Sequence, residues 1–189
     1  MKDFEQICIH PSTIYNPTPY PLVGRGVHGA VFRLTEETCV KIYAEKQYKI
    51  MEEESYEKLK GFSWAPRVYE LGSNYMVMEY IEGVIINHYL RDKDIDELIS
   101  ISLMLILEEL KDYGVAFGDI ELNNVIVQAD GSLKIYDFVN IYNNQRKIPF
   151  FMLNSLAKNN RLKTFLKHVK KYDQVLHKKW VKYVGLFPV

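Results

Sequence analysis

Phe117-Gly118-Asp119-Ile120-Glu121-Leu122-Asn123-Asn124 leads into two short apolar runs, Val125-Ile126-Val127 and Leu133-Lys134-Ile135, which end just before Asp137. Ala129-Asp130-Gly131-Ser132 stands between the runs. An Asp-Gly pair flanked by strand-like segments is a strong hairpin signal. Asn124 and Asp137 lie at nearly equal distances from that turn, so antiparallel pairing is expected to bring them side by side, with opposed α-carbons about 4.5–5.5 Å apart. Asp119 falls one loop earlier, near the same end. Two carboxylates and a carboxamide converging there suit a hard divalent cation such as Mg2+, which prefers oxygen ligands and phosphate partners. Asp and Asn also flank strands simply because they favour turns, and this stretch alone leaves both readings open.

A second motif lies near the N-terminus. Gly24, Gly26 and Gly29 form G-x-G-x-x-G, followed by Ala30 and Val31. In a dinucleotide-binding unit a helix should follow the last glycine. Here Ala30-Val31-Phe32-Arg33-Leu34, the polar Thr35-Glu36-Glu37-Thr38 and Cys39-Val40-Lys41-Ile42-Tyr43 read as strand, turn, strand. The glycines therefore belong to a hairpin able to fold over phosphates. Lys41 alternates with Val40 and Ile42 and is expected to point away from their face; a solvated strand lysine is the plainer fate for such a residue.

Residues 47–59 have helical composition, and Glu52, Tyr56 and Leu59 share one face. Met76-Val77-Met78-Glu79-Tyr80-Ile81-Glu82-Gly83 reads as the end of a buried strand and a connector. Taken in order, these motifs resemble the protein-kinase superfamily over about residues 20–140. The resemblance implies an α+β fold of two lobes within a single domain: an antiparallel-sheet N-lobe with one helix (1–79), a hinge (80–83), and a truncated, mostly helical C-lobe (84–189). It implies that Gly24, Gly26, Gly29 and Val31 cover ATP, and that Lys41, paired with Glu52 or else Glu53, contacts its α- and β-phosphates. Glu79 and Ile81 would lie in the adenine-binding hinge. Asp119 matches the catalytic aspartate, and Asn124 and Asp137 match the ligands of Mg2+ or Mn2+.

Some positions depart from the pattern. Phe117 stands in the usual histidine place, Gly118 replaces an arginine, Glu121 replaces a phosphate-side lysine, and Val139 replaces the glycine of D-F-G. An acidic Glu121 beside a polyanion is electrostatically unhelpful unless it turns away or supports metal. No A-P-E triplet appears. The pattern is most similar to the compact atypical kinases: the Rio group, the small kinase of the tRNA-threonylcarbamoyl assembly, and short bacterial kinase-like proteins.

The 189 residues, 48% of them hydrophobic, can bury a substantial core. The apolar stretch at 98–107 is too short to span a bilayer and is expected to be the central C-lobe helix. No secretory leader opens the sequence, and Cys8 and Cys39 have no metal or redox spacing, so cytoplasmic residence is expected. Net charge is zero, but residues 158–182 carry nine Lys/Arg against Asp173 alone, giving +8 there and −8 elsewhere. Leu162, Phe165, Leu166, Val169, Tyr172, Leu176, Trp180 and Tyr183 recur through this segment at helical spacing. That pattern reads as one or two amphipathic helices packed on the C-lobe. Their basic face is either solvated or docks RNA or an acidic protein.

The resulting expectation is an ATP-dependent Ser/Thr protein kinase of unknown protein substrate. Two alternatives share the motifs: a small-molecule phosphotransferase of the aminoglycoside or choline type, and a nucleotide-binding pseudokinase or assembly subunit.

Overall fold

The glycine hairpin and the strands after it assemble one antiparallel sheet. The structure, a computed structural model, describes residues 4–9, 16–113, 120–139, 148–183 and 185. Its contacts divide the chain into two units: Met1–Ile81 with Asp137–Val139, and Glu82–Tyr136 with Asn140–Val189.

In the first unit, β1 (Leu22–Gly26), β2 (Gly29–Arg33), β3 (Thr38–Tyr43), β4 (Val68–Leu71) and β5 (Tyr75–Glu79) form a sheet in the order β1-β2-β3-β5-β4. Helix α1 (Lys46–Lys58) follows β3. Gly26 pairs with Gly29, leaving Val27 and His28 as the hairpin tip. Only the last glycine is required by packing. Gly29 has φ +152°, and a Cβ there would meet the Ile42 carbonyl, whereas one at Gly24 or Gly26 would meet open space.

Strand alternation sorts the sheet into two faces. Ala30, Phe32, Val40, Ile42 and Tyr75 pack together, and Phe4 and Ile9 from the segment before the sheet cover them. The other face carries Lys41, Tyr43, Met76 and Met78, and α1 lies against it: the Tyr56 hydroxyl is 3.8 Å from Met78 Sδ. β3 is therefore buried on both sides, and Lys41 is 8% exposed. The sequence reading correctly turned Lys41 away from Val40 and Ile42, but the plainer reading of a solvated lysine does not hold. Glu52, Ser55, Tyr56 and Leu59 are the buried stripe of α1 and its end.

The second unit contains β6 (Val84–Ile85), α2 (Ile86–Asp92), α3 (Glu97–Asp112), β7 (Val125–Val127), β8 (Leu133–Ile135), α4 (Phe150–Lys158), α5 (Leu162–Tyr172) and α6 (Gln174–Val181). The three strands form an antiparallel sheet in the order β6-β7-β8. The α3 helix is the expected apolar one. Asp96 caps it by accepting the Ile99 N–H at 2.8 Å, and Ile99, Leu103, Met104, Leu107 and Leu110 enter the core. Among the described residues, no helix is long and apolar enough to cross a membrane.

The basic C-terminal segment is two helices. Asp173 breaks it by capping α6, its Oδ1 accepting the N–H groups of Val175 and Leu176. The break interrupts the apolar stripe without moving its phase. Leu162, Phe165, Leu166, Val169, Leu176 and Trp180 are buried, with Phe165 and Trp180 stacked at 5.9 Å. Tyr172, expected in the stripe, is 57% exposed because α5 ends there.

Candidate active site

Lys41 is the centre of the cluster in the first unit. Burying an ammonium costs several kcal/mol unless it is paired, and two carboxylates serve it: Glu52 Oε2 at 2.5 Å and Asp137 Oδ1 at 2.9 Å. Glu52 is fully buried and has a second task, since its Oε1 accepts the Phe138 N–H at 3.1 Å. Ser55, one turn of α1 further on, donates its hydroxyl to the Phe138 carbonyl at 3.0 Å. The Phe138 ring packs edge-on to Tyr56, centroids 5.2 Å apart, and near Trp64. Helix α1 therefore holds both the strand lysine and the Asp137–Val139 segment. Glu53 takes no part, pairing with Lys49 at 2.6 Å. Between the two acids considered for Lys41, the contact belongs to Glu52.

Asp137 has φ +65°, uncommon for a residue with a side chain and tolerated best by Asn and Asp. Its Oδ1 also lies 3.5 Å from His28 Nδ1, at the tip of the glycine hairpin. The His28 ring packs against Tyr48, 4.8 Å between centroids. Burial alone would raise the Asp137 carboxyl, but the His28 hydrogen bond and the Lys41 charge outweigh it and hold it well below the usual carboxylate range. Burial likewise opposes the Lys41 ammonium, yet Glu52 and Asp137 keep its pKa above the ordinary lysine value. Burial pushes the Cys39 thiol, on the same strand, up to about 12, which leaves it a poor nucleophile.

Around Lys41 one ammonium faces two carboxylates, with the His28 imidazole beside Asp137, which is the more exposed acid, at 33% of its side chain against 1% for Glu52. Both Asp137 contacts use Oδ1, and Oδ2 has no partner among the described residues. An ionised carboxylate with a free oxygen and surplus negative charge fits a hard divalent cation. Val31 pairs with Lys41 across β2 and β3 and is half-buried. Glu79 closes β5, its Oε2 accepting the Arg67 N–H at 3.1 Å, and the half-buried Ile81 ends this part of the first unit.

Asn124 lies in the second unit, on a 3-10 turn (Leu122–Asn124) before β7. The β7–β8 ladder pairs Val125 with Ile135, and the Tyr136 N–H reaches the Asn124 carbonyl at 3.0 Å. The partner of Asn124 is thus Tyr136 rather than Asp137, which comes one residue later. The slip arises because the hairpin loop spans the five residues 128–132, with Gly131 at φ +83° and Gln128 N–H bonded to Ser132 O. The Asn124 Oδ1 accepts the Glu121 N–H at 3.0 Å, while the Glu121 carboxylate accepts the Asn124 N–H. This reciprocal cap gives Glu121 a local role, and one lone pair of the carboxamide oxygen stays open. Asp119, with Phe117 and Gly118, lies outside the described residues.

Sequence reasoning missed His28, Ser55 and the Phe138 N–H. His28 occupies the x before the last glycine, where the motif places no demand. Ser55 lies three residues after Glu52, a spacing that shares its helix face, but the face read from the sequence held only Glu52, Tyr56 and Leu59.

The comparisons with known proteins agree with this architecture. The chain is 32% identical over 124 residues, 61% of its length, to a Bacillus subtilis (strain 168) protein named "Putative serine/threonine-protein kinase YrzF". It spans 57% of the length of that relative. Among solved structures, it is similar to a co-crystal of WbdD with the kinase inhibitor LY294002, at TM-score 0.55 and 20% identity over 89% of this chain and 41% of that one. The bifunctional kinase-methyltransferase WbdD at medium resolution gives 0.51 at 20% identity, over 72% and 34%. At such identities the likeness shows the fold alone, an atypical protein-kinase-like one. A family model matches residues 29–167, from the last glycine of the hairpin to the middle of α5, and the chain belongs to the ABC1 atypical kinase-like domain family.

Proposed function

We propose that this chain is an ATP-dependent phosphotransferase that moves the γ-phosphate to a serine or threonine hydroxyl of a protein. The observation carrying this reading is the buried Lys41 held by Glu52 and Asp137. A structural ion pair needs one carboxylate; the second, more exposed one leaves surplus charge suited to a cation and its phosphates. The name of the Bacillus subtilis relative supports the protein hydroxyl as acceptor.

In this reading Lys41 binds the α- and β-phosphates while Glu52 fixes its position. The backbone of Gly24, Gly26 and Gly29 covers the phosphates, and the open space at Gly24 and Gly26 leaves room for them. Val31 and the backbone of Glu79 and Ile81 hold the adenine. Asp137 and Asn124 would hold Mg2+ or Mn2+, which supplies charge neutralisation when bound. Asp119 orients the acceptor hydroxyl and takes its proton. Catalysis is then chiefly positioning.

Asp119→Asn separates binding from chemistry. Wild type and variant should both gain melting temperature with millimolar ATP and Mg2+, because a ligand of the folded state stabilises it by mass action. Only wild type should transfer labelled phosphate. No thermal shift in wild type would sink the nucleotide site, and equal transfer by both proteins would sink the role of Asp119.

A further inference from the structure

Within the second unit, a pocket of about 290 Å³ opens between α2, α4 and the 3-10 turn beside Asn124. Its wall is a relay of carboxamides whose direction is fixed at one end. Asn159 Nδ2 donates to the Ser155 carbonyl at 2.8 Å, and a carbonyl can only accept. The same Nδ2 donates to Asn87 Oδ1 at 2.7 Å, and Asn87 Nδ2 donates to Asn123 Oδ1 at 2.8 Å. The oxygens of Asn87 and Asn123 are thereby used within the relay. Both N–H groups of Asn123 Nδ2 and one of Asn87 remain without a partner among the described residues.

Two cations flank these spare donors. Arg91 stands one turn of α2 beyond Asn87, and Lys158 lies in the last turn of α4. Both are exposed and have no ion-pair or hydrogen-bond partner among the described residues. The neighbouring Arg161 is the contrast: it donates to the carbonyls of Leu90 and Lys93 and pairs with Asp94 at 3.2 Å. Arg161 serves the fold, whereas Arg91 and Lys158 are left for something else. Glu121 also lines the pocket, but its carboxylate accepts the Asn124 N–H. The α4 carbonyls of Ser155, Leu156 and Ala157 are capped by the N–H groups of Asn159, Arg161 and Asn160. Surplus N–H donors, two free cations and one engaged acid describe a site for an oxyanion.

We propose that this pocket binds a phosphate group carried by the acceptor substrate. That the group belongs to the acceptor rests on the phosphotransferase reading, because Glu121 and Asn123 border Asn124 in the loop that reading assigns to catalysis; the anion site itself does not.

The test follows the side-chain amide resonances of Asn87 and Asn123 in 15N-labelled protein during titration with inorganic phosphate at constant ionic strength. Both should move and saturate. Arg91→Gln with Lys158→Gln should weaken the response about tenfold or more. Asn123→Asp should do the same, since it keeps the oxygen that Asn87 needs but replaces donors with a negative charge. A phosphoserine peptide binding more tightly than inorganic phosphate or glycerol 3-phosphate would assign the group to a polypeptide. Glycerol 3-phosphate binding most tightly would assign it to a small ester and overturn the protein acceptor. No movement, or equal movement in the double variant, overturns the site. The ATP-induced thermal shift is read in parallel: its absence from wild type, with the phosphate response intact, would overturn the link to an acceptor and leave the anion site standing.

Discussion

Glu52 carries two bonds at once: one oxygen for Lys41, one for the Phe138 N–H. Glu52→Gln should cost about 1.5–3 kcal/mol, the range for hydrogen bonds to a charged group, since Asp137 still pairs with Lys41. Glu53→Gln removes a partly exposed pair with Lys49 and should cost about 1 kcal/mol or less. Urea denaturation of the two variants checks the assignment, and similar losses would refute it. Asp137 adds a pH dependence. Its folded pKa is depressed, so the stability it contributes is present above the ordinary carboxylate value of about 4 and is lost as pH falls below it. Asp137→Asn lacks that titration. Between about pH 5 and pH 2.5, across that value, the variant should lose less stability than wild type by the same urea measurement.

At the scale of the element, helix α1 and the pair α5–α6 show what a periodic pattern can and cannot announce. The α1 face was legible because Glu52, Tyr56 and Leu59 are spaced for one side of a helix, and the structure buries all three. The α5–α6 stripe was legible in Phe165 and Trp180 but not at Tyr172, where α5 ends and a single capping side chain, Asp173, starts the next helix. The β7–β8 hairpin was recognised from Asp130-Gly131, yet its register was not, because a five-residue loop and a two-residue turn share that signal. In the site, Lys41, Glu52 and Asp137 were visible as motif positions. His28 and Ser55 were not, since their contacts depend on how a loop tip and a helix turn face Asp137 and Phe138. Trp180→Ala should destabilise the protein by about 3–5 kcal/mol, as expected for truncating a fully buried aromatic. Tyr172→Ala should cost about 0.5 kcal/mol or less, as at an exposed position. Thermal melts of both variants test whether the stripe breaks at Asp173.

For the whole molecule, charge separation is the property that composition hides. The +8 segment presents Lys163, Lys167, Lys170, Lys171 and Lys178 to solvent, and of these Lys171 is tied to Glu97 at 2.6 Å. Replacing all five with glutamine should leave the melting temperature within a few degrees, since exposed pairs contribute little. If the face docks RNA, filter binding at low salt should weaken and its salt dependence should flatten; unchanged binding would make the face merely solvated. A different consequence follows from the Asp137–Val139 segment. The first unit includes these three residues, which the chain supplies more than fifty positions after the unit's main part ends. The gene therefore cannot be divided into two independent halves by one cut. A product ending at Ile81 would lack Phe138 and leave Tyr56 and Trp64 with an uncovered hollow. The complementary product would carry an apolar ring that is 1% exposed in the intact chain but is cut off from Tyr56 and Trp64. Each half made alone should aggregate, and co-expression should restore both to solution, which makes the pair a split reporter whose reassembly rests on the Asp137–Val139 segment.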